Sequence, residues 1–226
     1  MSSLRWLPWK PSVLVIMVSF VGGCHAPTPQ ATGSPAASPR LQVVVTTSVL
    51  CGLTQEIAQG AVALNCLVKP GTDPHVYQPT PEDRKAIETA ALILYGGYNF
   101  EPSLIKLVKA TSNPAPKVAV GEVAVPQPLM FNAADPDPHV WHNAQNGVRM
   151  VAVIQTQLTQ LDQRHKDRYR HNAQVLTHHL TQLDTWIRSQ IATIPVTSRK
   201  LITTHDALGY YAAAYGIPVE GVTSGD

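Results

Sequence analysis

From Leu41 onward the chain alternates between short β-branched apolar runs and segments of helical period. Leu41–Thr47, Ala63–Lys69, Leu92–Tyr95 and Lys117–Val120 read as buried strands. The runs Val49–Gln59, from Pro81, and Pro102–Ala110 read as helices between them. Strand–helix alternation of this kind is satisfied by a parallel sheet with helices on its faces. The helix signals are local and chemical. Ser48 stands where a cap is needed, Gly60 where a helix stops, and Thr80-Pro81-Glu82-Asp83 combines a capping hydroxyl, a first-turn Pro and two early acids. Gly121–Pro138 reads as a long loop. Asn146–Leu161 follows as a helix with Val148, Val151, Ile154 and Leu158 along one stripe. Lys166–Ile194 is helical without an internal Pro or Gly, and its apolar positions include Val175, Leu176, Leu180, Leu183, Trp186, Ile187 and Ile191. At about 1.5 Å per residue it can reach across a small domain. Lys200–Thr204, Ala207–Tyr215 and a strand from Gly216 then repeat the strand–helix–strand order.

The N-terminal stretch has a different character. Arg5 and Lys10 precede an apolar run, Val13–Val21, too short for a permanent membrane span, which needs about 20 residues. Val21-Gly22-Gly23-Cys24 resembles a lipobox, which makes residues 1–24 a lipoprotein signal peptide with Cys24 as the acylated residue. A plain signal peptide with an incidental Cys, or a buried helix, are the competing readings. Residues 25–40, rich in Pro, Ala, Ser and Thr, read as a disordered tether. Export would let Cys51 and Cys66 form a disulfide, provided their Cα atoms come within about 7 Å; in the cytosol they would stay reduced. A net charge of +2 with scattered Lys and Arg argues against nucleic acid as a partner. The chain contains no G-x-S-x-G, Walker or H-E-x-x-H motif.

Three histidines lie at the edges of regular elements, where α/β scaffolds keep their binding groups. His75 sits in Asp73-Pro74-His75-Val76-Tyr77-Gln78-Pro79-Thr80-Pro81, where prolines hold the backbone extended or turned. Asp137-Pro138-His139-Val140-Trp141 echoes it, and His205 ends the run Leu201–His205. Taken singly, each is an ordinary loop histidine making one hydrogen bond. Together, neutral imidazoles from three loops can bind a borderline metal and leave a fourth position open. Asp73, Asp137 and Asp206 are placed to orient imidazoles, to begin turns or, for Asp206, to cap the next helix. His142 reads as a surface or supporting residue, and His165, His171, His178 and His179 as a solvated helix face.

The segments Asp73–Asp83, Asp137–Trp141 and Thr203–Tyr211 resemble, in order, the three ligand segments of the zinc/manganese solute-binding lipoproteins of bacterial ABC transporters, the cluster A-I family. The similarity runs from about Leu41 to the end of the chain. It implies a two-lobed, periplasmic-binding-protein-like α/β fold: a first lobe over residues 41–165, a linking helix over 166–194, and the start of a truncated second lobe over 195–226. It implies His75, His139 and His205 as metal ligands, with a fourth, acidic ligand beyond residue 226. The expected partners are an ABC permease and, through the lipid anchor, the membrane; a monomer is expected. Zn2+ is the favoured ligand because manganese-type relatives carry an acid where His205 stands. The absence of a histidine-rich insert before His139 pulls towards Mn2+, the alternative. Other readings are an adhesion or structural lipoprotein stapled by its metal, a non-functional fragment, and a zinc hydrolase with an activated water at the open position.

Overall fold

The structure, a computed structural model, describes residues 39–222. The signal peptide, Cys24 and the tether as far as residue 38 lie outside the described residues. Four parallel strands form the main sheet: β1 (Gln42–Val45), β2 (Ala63–Cys66), β3 (Leu92–Tyr95) and β4 (Lys117–Ala119), in the order β2-β1-β3-β4. Val43, Val44 and Val45 are all buried, since helices cover both faces. The two-residue side-chain period then divides them. Val43 and Val45, with Leu92 and Leu94, join one apolar cluster; Val44 and Ile93 join the other.

The connecting helices follow their caps. α1 (Ser48–Ala58) is capped by Thr47, whose hydroxyl accepts from the Leu50 amide; the cap falls one residue before the expected Ser48. It ends on left-handed Gln59 and Gly60. α2 (Pro81–Thr89) opens with a reciprocal capping box between Thr80 and Asp83. Asp83 also accepts from the Tyr77 hydroxyl, and burial with that carboxylate pushes the phenol up to about 12. α3 spans Pro102–Ala110.

The segment expected to be one long loop is structured. It contains a short helix, α4 (Val120–Ala124), and an antiparallel hairpin, β5 (Met130–Asn132) with β6 (Asp135–Pro136). Its Pro-rich composition masked these short elements. α5 (Ala144–Leu161) starts two residues before the expected Asn146, because the Asn143 side chain caps it. α5 and α6 (Lys166–Ala192) meet at a corner built on Asp162, whose buried carboxylate accepts from the Arg164 backbone amide, the Arg164 guanidinium and His165 Nδ1. Those donors hold its pKa well below the usual carboxylate range.

α6 lies along α1 and α5 through Leu176 and Leu180, and Asn172 donates to the Ile57 carbonyl. Its expected apolar stripe is only partly covered: Val175, Leu183 and Trp186 are exposed. Near its end Ile187 and Ile191 begin a separate small cluster with Tyr211, Tyr215 and Ile217. That cluster belongs to β7 (Leu201–Thr203), α7 (Gly209–Tyr215) and β8 (Val219–Val222), in which β7 and β8 pair in parallel.

A disulfide joins Cys51 in α1 to Cys66 at the end of β2, with Cα atoms 5.7 Å apart and a sequence separation of 15. In the chain-entropy view a loop of that size contributes about 3 kcal/mol. Replacing both cysteines by Ala is expected to lower unfolding free energy by about that amount, measured as a lower urea midpoint at unchanged slope.

Candidate metal centre

The strand order 2-1-3-4 reverses direction between β1 and β3, and ligands of open α/β sheets sit outside the carboxyl ends of strands at such a point. The His75 loop leaves the sheet after β2 and Phe100 follows β3. His139 follows the β5–β6 hairpin, and His205 follows β7. Their imidazoles converge. Nε2 of His139 lies 3.2 Å from Nε2 of His75 and 3.3 Å from Nε2 of His205. All three ligand nitrogens fit within 4.8 Å of one another, and this is the one such cluster of three His, Cys, Asp or Glu side chains among the described residues. They border a cavity of about 260 Å³. A larger groove of about 450 Å³ between α2 and α3 contains none of them.

The two Asp-Pro-His motifs fold alike. Asp73 Oδ1 accepts from the His75 backbone amide at 2.9 Å, and Asp137 Oδ1 accepts from the His139 amide at the same distance. They diverge at the ring. Asp137 Oδ1 also lies 2.8 Å from His139 Nδ1, whereas Asp73 bonds only the backbone of its histidine. A carboxylate accepts, so His139 carries its proton on Nδ1 and turns the Nε2 lone pair towards the other two imidazoles. Burial follows the same gradient: His139 is 3% exposed, His75 half-buried and His205 exposed. Burial lowers the His75 pKa, with a further push from His139, opposed by Asp73. His142 lines the same cavity, and burial followed by the charge of His139 lowers its pKa as well.

Asp206 departs from expectation. It is exposed and does not cap the following helix, because α7 begins at Gly209 with Leu208 in the cap position and no side-chain cap bond. Among the described residues it makes no hydrogen bond to an imidazole.

Several residues at the site escaped the reading of the sequence. Phe100 packs edge-on to His75 and His139, with ring centroids 4.9 and 5.5 Å away, and lies 4.7 Å from Trp141. Glu101 is fully buried at the ends of β1 and β3; its Oε1 accepts from Thr46 Oγ1 at 2.7 Å and the Gly96 amide at 2.6 Å. Burial raises its pKa against those two bonds. Tyr210 donates to the Asp137 carbonyl and accepts from the Leu129 amide, tying α7 to the hairpin and the His139 loop. A Cβ at Gly209 would stand 2.9 Å from Asp137 Oδ2, so any larger residue there has to push that carboxylate aside. The pair Gly96-Gly97 was the only local signal for the Phe100 loop, and it specifies a turn but not what the turn delivers.

Gly209→Ala is therefore expected to displace Asp137 and release His139. In 15N-labelled protein without metal, His139 should show the Nδ1-protonated tautomer, and the variant a mixture of tautomers. An unchanged tautomer in the variant would contradict the contact.

Comparison with known proteins identifies the family. The family model described as zinc-uptake complex component A, periplasmic (ZnuA) matches residues 43–226. The manganese ABC transporter substrate-binding lipoprotein PsaA of Streptococcus pneumoniae is 33% identical over 215 residues, which is 92% of this chain and 69% of PsaA. The manganese-binding lipoprotein MntA of Bacillus subtilis is 33% identical over 190 residues, 83% of this chain and 62% of MntA. The solved periplasmic zinc-binding protein TroA of Treponema pallidum superposes with a TM-score of 0.77 at 32% identity, over 83% of this chain and 69% of that one.

Proposed function

The chain belongs to the ZnuA-like family of metal-binding solute-binding proteins of ABC transporters, and from that premise we propose that it captures a divalent transition metal, zinc in preference to manganese, for an ABC importer. The family is one of solute-binding proteins and not of enzymes. The observation that carries the proposal is the convergence of His75, His139 and His205, with Nε2 of His139 at 3.2 and 3.3 Å from the other two. A tetrahedral zinc with Zn–N distances of about 2.0–2.1 Å separates its ligand nitrogens by about 3.3 Å, so these two spacings suit zinc. Three nitrogen donors suit it too, whereas manganese favours more oxygen. On this reading His75, His139 and His205 are ligands, and Asp137 holds His139 in the ligating tautomer. Asp73 shapes the His75 loop without reaching its ring. The fourth ligand is an acid supplied outside residues 39–222.

The same proposal assigns residues 41–165 to a first lobe, α6 to the link, and the α7 region to the second lobe. The separate apolar cluster around Ile191, Tyr215 and Ile217 supports that division. Relatives named as lipoproteins support an extracytoplasmic, membrane-anchored protein, with Cys24 as the residue we assign to the anchor and a monomer as the expected state. Among the described residues no helix is long and apolar enough to cross a membrane. On this reading the metal is cargo rather than a fold staple.

Calorimetric titration with zinc and manganese in parallel tests this reading. One-to-one zinc binding tighter than manganese binding, abolished by His75→Ala, is expected; manganese preference overturns the choice of metal. Removing metal with a chelator should leave the circular dichroism of a folded protein, and unfolding would instead favour a staple.

Protons and metal compete for the same nitrogens, so affinity should be full near neutral pH and fall as pH drops through the histidine range. The lowered pKa of His75 keeps that ring available to a lower pH than a free imidazole. Affinity unchanged between about pH 7.5 and about pH 5 would exclude three imidazole ligands.

A further inference from the structure

We propose that Phe100 is a positioning residue of the metal centre: its ring, delivered by a strained left-handed loop, fixes the imidazole of His75 and thereby the metal affinity. The inference rests on the metal-binding reading above and adds the group that orients its second imidazole.

A ligating imidazole is normally held by a partner on its other nitrogen. Asp137 does this for His139 at 2.8 Å. His75 lacks such a partner: among the described residues no hydrogen bond reaches its Nδ1, and Asp73 is committed to its backbone amide. Besides the rings of His139 and His205, at 5.3 and 5.2 Å, the His75 ring meets Phe100, with centroids 4.9 Å apart and planes at 85°, the edge-to-face arrangement that aromatic quadrupoles prefer. Phe100 is 6% exposed yet belongs to none of the three apolar clusters. Its ring neighbours are His75, His139 and Trp141. A buried Phe outside every core cluster, packed on two imidazoles and an indole, serves the site rather than the core.

The backbone that presents it is unusual. Gly97, Tyr98 and Asn99 have φ of 88°, 49° and 57°, three consecutive residues on the positive side. Glycine takes such angles freely and Asn tolerates them, but Tyr does not. Strain of this kind persists where the surroundings over-determine it, and such places cluster at functional sites. The surroundings are visible here. Glu122 Oε1 accepts from the Tyr98 amide at 2.8 Å, and the Tyr98 hydroxyl donates to the Val125 carbonyl. Glu101 accepts from the Gly96 amide just before the left-handed run. A Cβ at Gly97 would stand 2.7 Å from Glu122 Cγ, so the clamp also requires glycine there. Two glutamates thus hold a conformation whose product is the position of one phenyl ring.

The test uses Phe100→Ala, Phe100→Leu, Asn99→Gly and Asn99→Val, with two readouts. One is the His75 ring-proton resonances of the metal-free protein. The other is zinc affinity by competition with a chromophoric chelator. Phe100→Ala and Phe100→Leu should shift and broaden the His75 resonances and weaken zinc binding about 10-fold or more, while His139 keeps its tautomer. Asn99→Gly, which accepts the left-handed region, should preserve both readouts. Asn99→Val, whose branched Cβ rejects it, should reproduce the loss with Phe100 still present. His75 resonances unmoved by the loss of Phe100 would overturn the proposal, as would moved resonances with unchanged affinity. Failure of the unaltered protein to bind zinc or manganese would overturn the metal reading and the affinity part with it. The metal-free resonances would then still decide whether Phe100 holds His75.

Discussion

A single buried carboxylate holds the ends of the two central strands in register for everything built on them. Glu101 Oε1 takes the hydroxyl of Thr46, just past β1, and the amide of Gly96, just past β3. Both donors sit at the switch point of the sheet, where the strand ends diverge; the Thr46 amide pairs with the Leu94 carbonyl, and the Gly96 amide has Glu101 as its partner. Hydrogen bonds of this kind to a carboxylate are stronger than neutral ones, and stronger still where water is excluded. Glu101 Oε2 finds no partner among the described residues and packs against Gly96, where a Cβ would come within 2.7 Å. Burial that raises the pKa of this group is the cost of joining the strands through a charged side chain.

From that junction the site is assembled in a graded way. His139 is buried, its tautomer set by Asp137, and Asp137 is in turn confined by Gly209 and Tyr210 of α7. His75 is half-buried on a Pro-framed loop, and His205 is exposed. Burial therefore decreases from His139 through His75 to His205. The contact between α7 and the Asp137 loop ties α7 to the loop that carries His139.

Much of this was legible in the residues. The parallel sheet and the helices that connect its strands follow from β-branched runs and cap chemistry within one or two residues at most ends, because capping is decided by atoms three residues apart. The two Asp-Pro-His motifs predicted similar loops, and the amide bonds of Asp73 and Asp137 are the same local turn. The hairpin in the 121–138 segment was not legible, since its strands are two and three residues long and the shorter one contains Pro. Nor was the partial exposure of α6, because period alone says which residues share a face and not how much of that face is covered.

The sequence by itself determined the order of the main-sheet strands and the longer helices, most of their ends to within a residue or two, and the three chemically matched histidines, since these depend on interactions within a few residues. Only the tertiary structure decided that their Nε2 atoms meet, that Asp137 reaches a ring while Asp73 does not, and that Asp206 reaches none. It alone brought Phe100 to His75, 25 positions away in the numbering. Those outcomes depend on the relative placement of β2, β3, the hairpin and β7, and that placement is fixed by sheet order and packing between residues far apart in the chain. No local pattern encodes it.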